Sequence, residues 1–125
     1  MWYKLTAETG YLKAELYGRE TAEETREFLR AVEAEFTQHR YAQVLISVHS
    51  SNAVFAVGKY GLASYLERLA GVPLKVALLA DSDEVRIAHE YVESLAVQRG
   101  VNLRAFRDET TALRWLREPT NQISE

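Results

Sequence analysis

The chain has 125 residues, a formal net charge of −3 and no cysteine. That size is one domain with room for a real core, and the missing cysteines exclude a disulfide framework and thiolate metal sites. The acidic balance and scattered Lys and Arg exclude a nucleic-acid footprint, and no apolar run approaches the roughly 20 residues of a membrane helix.

In chain order, Met1 to Ala7 and Tyr11 to Tyr17 both alternate polar and apolar residues, and Glu8-Thr9-Gly10 between them suits a tight turn. Two antiparallel strands are therefore expected first. Thr21-Ala22-Glu23-Glu24 is a capping box opening a helix whose stripe is Phe28, Leu29, Val32 and Phe36, ending near His39. Val44 to His49 reads as a strand parallel to the second, reached by a right-handed crossover. The stretch AVFAVGKYG is ambiguous, but Leu62, Tyr65, Leu66 and Leu69 have helical spacing, closed by Gly71 and Pro73.

From Leu74 every boundary is marked. Leu74 to Ala80 is a buried strand, Asp81-Ser82-Asp83-Glu84 caps a helix with stripe Val85, Ala88, Val92, Leu95 and Ala96, and Gly100 ends it. Val101 to Arg107 is an alternating strand, and Asp108 caps a last helix with Ala112, Leu113 and Leu116 on its apolar side. The pattern predicts a single α/β domain over residues 1–118, in the order ββαβαβαβα. Its five-stranded sheet is mostly parallel with an antiparallel N-terminal strand, and the helices lie mainly on one face. Residues 119–125 are expected to fray.

Alternation in the second and fifth strands implies that the other sheet face lacks a full helical cover. Trp2, Lys4, Tyr11, Lys13, Tyr17, Ser47, His49, Arg104 and Phe106 share that face. Its aromatics and arginine suit an interface, so Trp2, Tyr11, Lys13, Tyr17, Arg104 and Phe106 are interface candidates; amphipathic side chains lying flat on a partly solvated sheet are the simpler alternative. A homodimer is the simplest partner arrangement, with another protein as the alternative.

Catalytic signatures are missing. A Ser-His-Asp reading from Ser50 or Ser51 with His49 and Asp81 has no GxSxG elbow, and turn bonding accounts for Ser50, Ser51 and Asn52 more simply. The acids Asp81 and Asp83 read as helix caps. His39, His49 and His89 are scattered, with no HExxH, so no metal is expected. Gly58-Lys59-Tyr60-Gly61 matches neither phosphate-loop pattern, leaving at most a weak anion site. The ligand-binding candidates are His49, Ser50, Ser51, Asn52, Lys59, Tyr60 and Asp81, at the C-terminal edge of the sheet where ligands of α/β folds bind.

The opening hairpin, VLISVHS running through a loop to a helix, KVALLADSDE, and the ending FRDETTALRWL together resemble the STAS-type fold, in particular its bacterial SpoIIAA-like branch. The resemblance spans nearly the whole chain and implies a non-catalytic interaction or regulatory module without cofactor; a cytoplasmic setting is expected from the missing cysteines and from Met1 leading into a strand-like segment with no apolar signal region. In STAS antagonists a serine in an Asp-Ser-Ser-Gly-like turn is phosphorylated. The matching turn here is Gly58-Lys59-Tyr60-Gly61, which has no serine, so phosphoregulation there is not expected. CRAL-TRIO lipid-binding domains are related to this fold but larger, and this chain lacks their additional helices. The alternative reading is a small-molecule or lipid binder, and after it a hydrolase, using the strand-end edge.

Overall fold

Two strands joined by the turn Thr9-Gly10 open the structure, β1 (Trp2–Glu8) and β2 (Tyr11–Tyr17), and Gly10 takes the left-handed φ of 86° that this turn requires. The computed structural model describes residues 1–52, 66, 69 and 72–118. Helix α1 (Ala22–His39) follows, then β3 (Gln43–His49), β4 (Lys75–Ala80), α2 (Asp83–Gln98), β5 (Asn102–Phe106) and α3 (Glu109–Arg117). Leu66 and Leu69, between β3 and β4, are helical and buried. The ambiguous stretch, with Lys59 and Tyr60, and the 119–125 tail lie outside the described residues.

The fold is the expected α/β architecture. Sheet order is β1-β2-β3-β4-β5, with β1 antiparallel to β2 and every later pair parallel. Each parallel strand sits beside its predecessor, so the right-handed crossovers put α1, α2 and the helical Leu66 and Leu69 on one face. There Leu12, Ala14 and Leu16 of β2, Val44, Ile46 and Val48 of β3, and Val76 and Leu78 of β4 meet Phe28, Val32 and Phe36 of α1 and Val85 and Ala96 of α2.

Local chemistry sets the helix ends. The Thr21 hydroxyl accepts from the Glu24 amide at 3.2 Å while the Glu24 carboxylate accepts from the Thr21 amide at 3.3 Å. Thr21→Ala is expected to cost about 1 kcal/mol in urea unfolding, the ordinary worth of an N-cap. Ser82 and Asp108 cap α2 and α3 through the Val85 and Thr111 amides at 3.2 and 2.8 Å. The chain leaves α2 through Gly100, whose φ is 74°.

The last helix departs from the open face that alternation suggested. Among the described residues no strand follows β5, so crossover handedness places no constraint on α3, and it lies across the second face. Its Ala112, Trp115 and Leu116 form a second core with Tyr11, Leu45, Ala77, Leu79 and Phe106. Tyr11 and Phe106, two of the interface candidates, are thereby only 8% and 9% exposed, so neither offers a free surface. Burial also raises the Tyr11 pKa.

Candidate functional site

Lys75 opens β4 on the second face, beneath the end of α3. Its ammonium donates to the Trp115 carbonyl and, at 2.9 Å, to the Glu118 carbonyl, and it sits 4.6 Å from the centre of the Trp115 ring. Those carbonyls belong to the negative end of the helix, where a cation is favoured. Burial lowers the Lys75 pKa, Glu118 offsets part of that, and Arg104 adds to the lowering. Arg104, another interface candidate, stacks its guanidinium 5.3 Å from the same ring. Lys13 pairs with Glu109 at 3.4 Å. Three charged side chains of the face therefore fasten α3 to it.

The half of the face that α3 leaves uncovered carries a ladder of rings. Register places Trp2 opposite Tyr17 and Tyr17 opposite His49, which brings one ring from each of three adjacent strands into line. Trp2 and Tyr17 stack with centroids 4.0 Å apart and planes 7° apart; Tyr17 and His49 follow at 4.5 Å and 13°. The polar ends are tied: Tyr17 donates to Glu15 at 3.1 Å, and the His49 Nε2 is 2.9 Å from the Ser47 hydroxyl. Trp2 is 58% exposed although one face of its ring is stacked. Lys4 lies opposite Glu15 beside the ladder, so both charge signs are present.

The strand-end residues Ser50, Ser51, Asn52 and Asp81 meet, as the sheet topology requires, but in a bonded turn. The Ser50 amide donates to Asp81 at 3.0 Å, with Ser50 at a φ of 48°. The Ser51 hydroxyl donates to the His49 carbonyl at 2.8 Å and accepts from the Arg19 amide at 3.0 Å. The Asn52 amide donates to the Arg19 carbonyl at 2.9 Å, and the Arg19 guanidinium donates back to the Asn52 carbonyl. The His49 ring points to the ladder and bonds Ser47, not Ser50 or Ser51. No carboxylate backs it among the described residues, so this histidine and serine lack the third member of a hydrolytic triad. Lys59 and Tyr60, the remaining ligand candidates, fall outside the described residues.

Between the sheet and its main helical layer lies a feature the sequence reading missed, an apolar cavity of about 100 Å³. Phe28 and Val32 of α1, Val48 of β3, Ala88 of α2 and Leu66, between β3 and β4, are among its walls, with Arg19 and His89 as its charged or titratable members. Arg19 and His89 are 6% and 8% exposed, and the Arg19 Nε and His89 Nδ1 have no hydrogen-bond partner among the described residues. Burial, followed by the Arg19 charge, pushes the His89 pKa down to about 4. One signal in the sequence pointed this way: His89 is four residues after Val85, on the core stripe of α2. Arg19 carried no such signal.

Among the described residues no cluster of three His, Asp or Glu side chains could hold a metal ion, and no helix is long and apolar enough to cross a membrane. No family model matches the chain, and no curated protein matches it.

Proposed function

We propose that this chain is a non-catalytic, STAS-like interaction module that works through the uncovered half of its second sheet face, with a second copy of itself as first partner. The Trp2-Tyr17-His49 ladder carries the reading. Three rings held in register by three adjacent strands form a rigid aromatic platform, and rigid aromatic groups are the side chains that most often dominate binding energy at interfaces. The stacking orders the rings before a partner arrives, which lowers the entropy cost of association.

A copy of the same patch suits it as partner. With Lys4 and Glu15 side by side, the surface is locally neutral, and two copies related by a two-fold axis can meet without a block of like charge. A regulatory role without phosphorylation at the Gly58 to Gly61 turn rests on the STAS resemblance alone, as does a bacterial source, and a cytoplasmic setting rests on the cysteine-free composition.

Sedimentation velocity across protein concentration tests the proposal. The wild type is expected to pass from monomer to dimer, and Trp2→Ala to raise the dissociation constant by about thirtyfold, the effect of losing roughly 2 kcal/mol at a hot spot. Trp2 lies on an exposed edge strand, so this change should leave the unfolding midpoint nearly constant. A wild type that stays monomeric at every concentration, or a Trp2→Ala chain that dimerises as well, contradicts it.

A further inference from the structure

The cavity between the sheet and the main helical layer answers a different question from the ladder, and its chemistry is unbalanced. Its lining is apolar apart from Thr25, Arg19 and His89, and the last two are close enough for the Arg19 charge to act on the imidazole. A buried guanidinium is normally paired with a carboxylate, because removing that charge from water is costly otherwise. Among the described residues the Arg19 guanidinium makes one hydrogen bond, to the Asn52 carbonyl, and no carboxylate lies at ion-pair distance from it. Its Nε donor and the His89 Nδ1 are both left without a partner there. Such atoms are rare in folded proteins and call for a specific explanation.

We propose that this cavity binds a small amphipathic carboxylate, with the carboxylate on Arg19 and His89 and a short hydrocarbon chain among Phe28, Val32, Val48 and Ala88. The fork of the guanidinium matches a carboxylate, and the second carboxylate oxygen takes a hydrogen from the His89 Nδ1 in that tautomer. The apolar walls reject a fully hydrated dianion and accept a hydrocarbon tail. Room for that tail is limited. Taking a water's share of liquid, about 30 Å³, as the size of a methylene group, the 100 Å³ cavity holds roughly three carbons of a chain, and a tail of about four is its upper limit. Burial keeps His89 neutral at pH 7, so the site offers one positive charge for one negative charge.

Sodium pentanoate and 1-pentanol are matched probes, and NMR titration of the intact chain reads both. Pentanoate is expected to bind saturably below about 10 mM, moving the His89 ring signals and the methyl signals of Val32 and Val48. Pentanol, which lacks the carboxylate, is expected to bind at least about tenfold more weakly. Arg19→Gln should weaken pentanoate by about tenfold or more while leaving pentanol unchanged. Equal affinity for the two probes in the wild type overturns the assignment of the carboxylate, and this comparison does not depend on the variant folding. No movement of the His89 and Val32 signals at about 10 mM pentanoate overturns the site itself.

Discussion

Trp115→Ala is expected to cost about 3–5 kcal/mol of folding stability, the range for removing a large buried aromatic side chain. Trp115 is the centre of the second core: its ring packs on Phe106 at 5.4 Å, lies under Lys75 and Arg104, and brings the end of α3 onto β4. Ala leaves a cavity there and withdraws the ring from both cations. The loss is larger than for an ordinary surface helix because α3 is nine residues long and has little stability apart from this contact. Urea unfolding reads the cost. An environment-sensitive dye should also bind the variant more strongly, because loosening α3 uncovers Tyr11, Leu45 and Phe106. A cost below about 1 kcal/mol would mean that α3 does not hold the second face as described.

Acidification gives the second large effect, through His89. In the unfolded chain this imidazole titrates near 6.5, whereas burial and the Arg19 charge hold it at about 4 in the fold. The unfolded state therefore binds the additional proton first as pH falls. Stability from this group is complete above pH 6.5 and is lost as pH falls through 4, by on the order of 3 kcal/mol. Most of that loss falls before Asp108 and Glu24 take part: amide hydrogen bonds lower both carboxyls in the fold, so their contribution starts to be lost only as pH falls through their unfolded values, about 4. His89→Leu removes the titration. Urea midpoints measured at pH 7 and pH 4.5 should fall steeply in the wild type and much less in the variant. Equal falls in both would show that His89 is not buried as a neutral ring.

The contrast between these two residues shows what a sequence can disclose. Trp115 stands in a short helix whose cap at Asp108 and apolar side were readable, but whose position was not. Crossover handedness governs helices that join parallel strands, and among the described residues α3 leads to no further strand, so the expected open face was too wide by the area α3 covers. The boundaries at Thr21, Ser82 and Gly100 were readable because caps and left-handed turns depend on a few adjacent residues. Trp2, Tyr17 and His49 were placed on one face by alternation, whereas their stacking depends on the register of three strands, which alternation does not determine. Ser50, Ser51, Asn52 and Asp81 were placed at one sheet edge correctly, and the structure shows those groups occupied in turn bonds. The cavity is the least legible feature. It depends on how α1 and α2 seat over the sheet, and its polar members come from a loop arginine and a histidine within an apolar stripe.

The molecule has a packed side that holds a cavity and a second face split between a fastened helix and an aromatic ladder exposed at its Trp2 end. The two tryptophans fall one on each part of that face, which provides an internal control. The most direct test is to follow both indole N–H signals by NMR as protein concentration rises. Self-association through the ladder predicts that the Trp2 signal moves with concentration while the buried Trp115 signal stays in place. A Trp2 signal that holds its position across the whole range would contradict the interaction surface.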